Sequence, residues 1–390
     1  MPIEAKHEIN GKTLVFSDLH IGLKGSNTAY LDICRNVVKE ISKYAKSEKI
    51  KNIIFCGDFF HSRKQIDLMS LSYGLHIISD LAKRGNVYLI CGNHDSYFKN
   101  STDVNSIKIF KETKNVKVID AEPETVLING QKGLFIPWDV DNKFDFSVYD
   151  NEQFDLVFGH FEFSIKNFMS LYVIENGENL TSTSLLSELN IETDKNFPKT
   201  AVELAKEGGT VYSGHIHLRK EFIAKSRKII FIGSPYEQNF GERWTKHGFY
   251  VLDEANVPKF IELTSFPKHV VLRMSEVVSS GIENFNFSKV KSNIVKKLYD
   301  IPVDKSQDAE IDKAILGFTP FAEALSEYEI TAQDSSGIIS NKTLELIKKS
   351  KIEYIKSYID DIADSVLKEL NLDKNKIFEL IKSYYEKFEA

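Results

Sequence analysis

The chain has 390 residues and a mass of 44.5 kDa, more than one ordinary hydrophobic core organises, so two or three domains are expected. Hydrophobic residues make up 42% and charged residues 27%, which excludes a disordered chain and an integral membrane protein. The formal net charge of −6 argues against broad non-specific nucleic-acid binding, which shows as a basic excess, while leaving room for a local basic groove.

Apolar runs stay short of the ~20 residues needed to cross a bilayer. The N-terminus, Met1-Pro2-Ile3-Glu4-Ala5-Lys6, lacks the basic-then-apolar order of a secretory signal. Two of the three cysteines (Cys34, Cys56, Cys91) lie inside apolar strand-like runs, which reads as buried thiols in a reducing, cytoplasmic setting.

In chain order, Thr13-Leu14-Val15-Phe16-Ser17 reads as a buried strand that delivers Asp18 and His20 to a turn. Taken alone, these two are an ordinary turn residue and a surface histidine as readily as a ligand pair. Tyr30 to Lys46 has helical spacing through Ile33, Val37, Ile41 and Tyr44. Ile50 to Cys56 is the next strand and ends in Gly57-Asp58, with His61 three residues on; His61 alone also reads as a histidine packing on a loop. Leu68 to Lys83 repeats the helical period, with Leu71, Leu75, Ile78 and Ala82 on one face. Val87 to Cys91 is a third strand, ending in Gly92-Asn93-His94-Asp95. This alternation predicts an α/β layout with parallel pairing, and the polar clusters fall where such sheets form sites, at the carboxyl ends of the strands.

Shorter strands follow at Val116 to Ile119, Thr125 to Ile128 and Gly133 to Ile136, with Asn129-Gly130 as a hairpin signal. Asp155 to Phe158 leads to Gly159-His160, and Thr210 to Ser213 leads to Gly214-His215-Ile216-His217. Lys228 to Ile232 and Gly248 to Leu252 are the last strands of this unit. The polar stretch 161–209 is an insertion of a length that usually carries function or motion. After Pro267 a small α+β unit is expected, with strands at Val270 to Met274, Asn293 to Val303 and Phe321 to Ile330 around a helix at Asp308 to Leu316. Thr331 to Ser340 reads as a linker, and two helical stripes follow, Leu344 to Leu370 and Ile377 to Phe388. They are read either as a pair packed on each other or the core, or as a hairpin that docks on a partner. The expected domains are 1–265, 266–333 and 340–390.

The strand-end residues Asp18, His20, Asp58, Asn93, His160, His215 and His217, with His94 beside them, combine carboxylate, amide and imidazole without thiolate. That set suits Mn²⁺, Fe²⁺ or Zn²⁺ better than a structural cysteine-rich zinc site. It is too large for one ion and about right for two, and two ions need a bridging group, a task suited to a carboxylate such as Asp58. A histidine with an ordinary pKa near 6.5 can supply the proton a leaving oxygen needs.

Asp18-x-His20, Gly57-Asp58, Gly92-Asn93-His94-Asp95, Gly159-His160 and Gly214-His215-x-His217 resemble the calcineurin-like metallophosphoesterases across residues 12–253. His61 after Gly57-Asp58-Phe59-Phe60, the Ile136-Pro137-Trp138 turn and Gly233-Ser234-Pro235 resemble, within that superfamily, the SbcD-type nuclease subunits of recombination complexes and their bacteriophage counterparts. The resemblance implies a two-sheet sandwich flanked by helices, with a small α+β cap facing DNA at 266–333 and a helical segment at 340–390 that binds an SbcC-type ATPase. It implies one ion on Asp18, His20, Asp58 and His217 and a second on Asp58, Asn93, His160 and His215, manganese first, with Mg²⁺, Fe²⁺ or Zn²⁺ as alternatives. It implies His94 as proton donor oriented by Asp95, and His61 positioning the phosphate or DNA end. The activities implied are 3′→5′ double-strand exonuclease and single-strand endonuclease in repair and recombination, by a nuclease homodimer within a heterotetramer, in a bacterial or phage-infected cytoplasm. A phosphatase or cyclic-nucleotide phosphodiesterase of the same superfamily is the alternative. A catalytically silent scaffold is disfavoured because every metal position is filled.

Overall fold

A computed structural model describes residues 4–98, 101–139, 144–149, 152–161, 199–224, 226–243, 245–316 and 325–328. The linker expected at 331–340, the helical stripes in 340–390 and residues 162–198 of the insertion lie outside the described residues. The chain divides into two compact units, the first Met1–His269 and the second beginning at Val270.

The first unit is built on two sheets. A six-stranded sheet has the order Pro258–Glu262, Gly248–Leu252, Thr13–Phe16, Asn52–Cys56, Asn86–Ile90, Val116–Ile119. Its last four strands are parallel; the strand–helix alternation predicts this for the first three of them, and Val116–Ile119 joins in the same sense. The other two add in antiparallel fashion. A seven-stranded sheet has the order His7–Ile9, Glu124–Ile128, Gln131–Ile136, Phe154–Gly159, Ala205–Ser213, Arg227–Phe231, Lys220–Ala224. The Asn129-Gly130 turn closes a hairpin between Glu124–Ile128 and Gln131–Ile136, with both residues at positive φ.

Val15, Ile54 and Ile90 of the first sheet share one buried cluster with Val126, Phe135, Phe158, Tyr212 and Ile230 of the second. The two sheets therefore face each other across a common core, as in a sandwich. Sequence alternation alone pointed to parallel pairing and carried no sign of the second sheet. The other face of the seven-stranded sheet packs Leu134, Val157, Val211, Ile229 and Phe231 with Val202 of the short helix Lys199–Leu204. Both faces of its central strands are buried, so those strands read as nearly unbroken apolar runs.

Two long helices, Thr28–Ser47 and Leu68–Ala82, contact each other on the outside of the six-stranded sheet. The first buries Ile33, Val37 and Ile41, as its spacing predicts. The second buries Gly74, Ile77, Ile78 and Leu81, whereas Leu75 is 48% exposed. The expected face is thus rotated. At Gly74 a Cβ would come 2.6 Å from the Phe60 ring, so the helix lays its glycine on that ring and turns Leu75 outward. Asp67 caps this helix by accepting from the Met69 and Ser70 amides, both at 3.0 Å.

The second unit contains a three-stranded sheet (His269–Arg273, Ile294–Tyr299, Leu325–Tyr328) and helices Met274–Ser280 and Lys305–Leu316. Leu272, Met274, Val277, Val295 and Ile311 form its core. Lys297 is buried and reaches Asp308 at 2.7 Å and Asp312 at 2.8 Å. Cys34, Cys56 and Cys91 are free and buried. Among the described residues no helix is long and apolar enough to cross a membrane.

Candidate metal centre

Five parallel strands, three from one sheet and two from the other, end at the same place. Thr13–Phe16, Asn52–Cys56 and Asn86–Ile90 deliver Asp18, Asp58 and Asn93; Phe154–Gly159 and Ala205–Ser213 deliver His160 and His215. The strand-end turns interlock. Asp18 N donates to the Gly57 carbonyl (3.0 Å), His20 N to the Asp58 carbonyl (3.1 Å) and Gly214 N to the Gly159 carbonyl (3.1 Å). A Cβ on Gly57 would sit 2.3 Å from His160 Nδ1, and one on Gly214 would sit 2.3 Å from the Cys56 carbonyl oxygen. Only glycine lets the two sheets close this tightly at their edge.

All seven candidate ligands come together. His20 Nε2 lies 3.0 Å from His217 Nε2, 3.8 Å from Asp18 Oδ1 and 3.4 Å from Asp58 Oδ2. His160 Nε2 lies 3.3 Å from the same Asp58 oxygen. The Asn93 amide is 2.9 Å from His160 Nε2, 3.1 Å from His215 Nδ1 and 3.1 Å from Asp58 Oδ2. Asp18, His20 and His217 thus form one group whose donor atoms could share an ion, and Asp58, His160 and His215 a second. One oxygen of Asp58 faces both.

The donor set fits divalent cations. His160 Nδ1 donates to the Cys56 carbonyl (2.8 Å) and His217 Nδ1 to Glu242 Oε1 (2.8 Å), which leaves each Nε2 lone pair aimed inward. With the Asn93 oxygen turned inward, it faces the Asp58 carboxylate and two imidazole nitrogens. Such a convergence of electron pairs is satisfied by a cation.

Backbone and charge point the same way. Asp18, His20, Asp58 and His215 all have φ between 47° and 77°, a region costing non-glycine residues roughly 1–2 kcal/mol each. Strain concentrated on four neighbouring polar side chains is typical of functional sites. Burial pushes the Asp18 carboxyl up, against the pull of His160 and His217. Burial also tends to raise Asp58, but His160, His20 and His94 outweigh it and hold that carboxyl below its usual range. Burial drives His20 down and, helped by the neighbouring histidines, takes His215 to about 3. Both therefore present neutral imidazoles, the form that ligates. Burial works to lower His160, but the Asp58 charge and hydrogen bond overcome it and take the ring to about 9, so a cation that uses its Nε2 lone pair would displace a proton there.

His94 and His61 stand at the rim. Their rings stack at 5.4 Å, His94 Nδ1 lies 2.6 Å from the His61 carbonyl, and His61 Nδ1 lies 3.2 Å from His20 Nδ1. The expected orientation of His94 by Asp95 is not found. The buried Asp95 carboxylate instead accepts from the amides of Gly92, Asp58, Phe59 and Phe60 and from Ser106 Oγ. It clamps the Asp58 turn, and the His61 carbonyl takes the orienting part. Burial and the Asp58 charge push Asp95 up to about 7, against those amide bonds.

Sequence reading missed Glu242, which holds His217 from 25 residues downstream and is itself fixed by Gln238 N (2.8 Å) and Ser234 Oγ (3.3 Å). Gln238 Nε2 in turn donates to the Asp18 carbonyl (2.6 Å). The Gly233-Ser234-Pro235 signal marks the start of this loop, but nothing in the sequence singles out the glutamate. Trp138 covers the far side, 5.4 Å from the His215 ring and 5.9 Å from that of His160.

The sequence profile of the calcineurin-like phosphoesterase family matches residues 11–219, more than half of the chain. This chain belongs to the calcineurin-like phosphoesterases. The matched span contains every candidate ligand. The phosphoesterase is also similar to exonuclease subunit 1 of enterobacteria phage T4, with 25% identity over 358 residues, covering 91% of this chain and 94% of that protein. Among solved structures it is similar to an archaeal phosphodiesterase (12% identity, 65% of this chain and 99% of that one, TM-score 0.31). A phosphopantetheinyl hydrolase from Mycobacterium tuberculosis is a second such structure (13% identity, 58% and 90%, TM-score 0.32).

Proposed function

We propose that this phosphoesterase is the nuclease subunit of a DNA-processing complex, hydrolysing phosphodiester bonds at a two-metal centre. The observation that carries the reading is the position of Asp58 Oδ2, 3.4 Å from His20 Nε2 and 3.3 Å from His160 Nε2. Asp18, His20, Asp58 and His217 would hold one ion, and Asp58, Asn93, His160 and His215 the other. Manganese suits this oxygen and imidazole set. When bound, such a pair polarises the phosphoryl oxygens and lowers the pKa of a bridging water.

The remaining work falls to side chains. His94, with Nδ1 held on the His61 carbonyl, presents Nε2 to give a proton to the leaving oxygen. His61 positions the phosphate. Asp95 keeps the Asp58 turn rigid. The similarity to an exonuclease subunit along nearly the whole chain supports DNA as substrate, with 3′→5′ exonuclease action on duplex and endonuclease action on single strands. On this reading 266–333 faces DNA, 340–390 binds an SbcC-type ATPase, and the nuclease subunit pairs with a second copy of itself in a cytoplasmic repair or recombination complex.

The test is manganese-dependent release of nucleotides from linear duplex DNA. Wild type with its ATPase partner is expected to degrade the duplex. His94→Ala is expected to lose cleavage while keeping its metal, and Asp58→Ala to lose both. A wild type that cleaves p-nitrophenyl phosphate esters but no DNA would refute the nuclease reading in favour of a phosphatase or cyclic-nucleotide phosphodiesterase.

A further inference from the structure

Two cations stand at the rim of the centre with no carboxylate holding them among the described residues. Arg63 follows His61 on the turn that carries Asp58, and its Nη2 lies 2.7 Å from the outer atom of the Asn93 amide. Lys24 lies on the turn after His20, which Leu23 N closes by donating to the His20 carbonyl (3.0 Å). Arg63 is half-buried and Lys24 is exposed.

Backbone pairing brings the two turns together. Ile21 N donates to the Phe59 carbonyl (2.9 Å), and His61 N donates back to the Ile21 carbonyl (3.0 Å). The turn bearing Lys24 is wound left-handed. Lys24, Gly25 and Ser26 have φ of 55°, 65° and 60°, a run that L-residues avoid as consecutive residues. It is pinned from below: Ser26 Oγ bonds Asp67 and lies 2.8 Å from Ser70 Oγ, and a Cβ on Gly22 would meet Ser70 Oγ at 2.7 Å. The fold thus maintains a strained turn that exposes one lysine next to the turn bearing His61 and Arg63.

The Asn93 amide makes the position of Arg63 informative. With its oxygen outward, the amide accepts from Arg63 and its NH₂ donates into the ligand cluster. With its oxygen inward, as ligation of a cation requires, the NH₂ faces Arg63 Nη2, two donors in contact. A metal-loaded centre therefore leaves this guanidinium without an acceptor, beside additional positive charge. An anion supplies the missing acceptor, and a phosphate oxygen matches the guanidinium fork.

We infer that Lys24 and Arg63, carried on these two paired turns, form a basic lip that binds the phosphates of a polynucleotide strand next to the one being cut. This rests on the nuclease reading and adds the subsite that favours a polyanionic strand over a small phosphoester. It also reconciles a net charge of −6 with an anionic substrate, because the positive charge is local.

The test is anisotropy of a fluorescein-labelled 16-nucleotide single strand over a range of salt concentrations, in EDTA and in calcium, with metal content measured in parallel. In calcium, Lys24→Ala/Arg63→Ala is expected to bind at least 10-fold more weakly. Its slope of log Kd against log salt should be lower by about 1.4, since each single-strand phosphate contact contributes about 0.7. Arg63→Ala alone should lower the slope by about 0.7 in calcium and leave it near the wild-type value in EDTA, where Asn93 keeps the guanidinium. Lys24→Arg/Arg63→Lys should restore most of the double variant's loss. A double variant that loads metal and binds with the wild-type slope would overturn the lip while leaving the nuclease reading standing. A wild type that binds no strand in calcium would overturn both.

Discussion

Asp58 is placed by three separate constraints. Its carboxylate Oδ1 accepts the His94 amide (2.7 Å), its own amide donates to Asp95 (3.0 Å), and its φ of 61° aims Oδ2 between two histidines. Glu242 does the equivalent for His217. Burial works to lower that histidine's pKa, and the Glu242 hydrogen bond together with the Asp18 charge outweighs it. Glu242→Gln keeps the shape but weakens the acceptor that orients the ring and raises its basicity. Manganese affinity is therefore expected to fall about 10- to 100-fold, read by isothermal titration, with an unchanged circular dichroism spectrum. Affinity equal to wild type would show that Glu242 only fills space. The candidate ligands themselves were legible from the sequence because each follows an apolar strand and most follow a glycine. Glu242 was not, because its link to His217 exists only once the 233–242 loop has folded back.

Among the elements, the Leu68–Ala82 helix does more than cover the sheet. Its cap, Asp67, also holds Ser26, and so fixes the turn that carries Lys24. Asp67→Ala is expected to cost about 1 kcal/mol, the usual value of a helix cap, measured by urea unfolding. If that turn is released with it, strand binding should weaken as in Lys24→Ala. Unchanged stability would mean that water replaces the cap. The helix also shows where periodicity misleads. Leu71, Leu75, Ile78 and Ala82 form a legitimate stripe, yet the buried face follows Gly74 because the Phe60 ring leaves no room for a side chain there. A sequence pattern reports where apolar residues lie, and the neighbouring element decides which of them it can accept.

At the scale of the whole molecule, local alternation revealed three parallel strands but not the sandwich. Closure depends on pairings remote in sequence, such as Gly248–Leu252 against Thr13–Phe16 and Glu124–Ile128 against His7–Ile9. The second unit carries its own electrostatic test. Partial burial works to raise Asp308, and the Lys297 and Tyr299 hydrogen bonds outweigh it, so its folded pKa lies below the unfolded value. That contribution is complete above the ordinary carboxylate pKa of about 4 and is lost as pH falls through the lower folded value. Asp308→Asn should therefore lower the melting temperature of this unit at pH 6 and bring the variant and wild-type curves together towards pH 2. Parallel curves across that range would contradict the linkage.

The account turns on Asp58 serving two ions at once. Crystals soaked in manganese, with anomalous data collected at the manganese edge, address this directly. The account predicts two peaks about 3.5–4 Å apart, both bonded to the Asp58 carboxylate, one with Asp18, His20 and His217 and the other with Asn93, His160 and His215. A single peak, or two peaks of which only one touches Asp58, would contradict it.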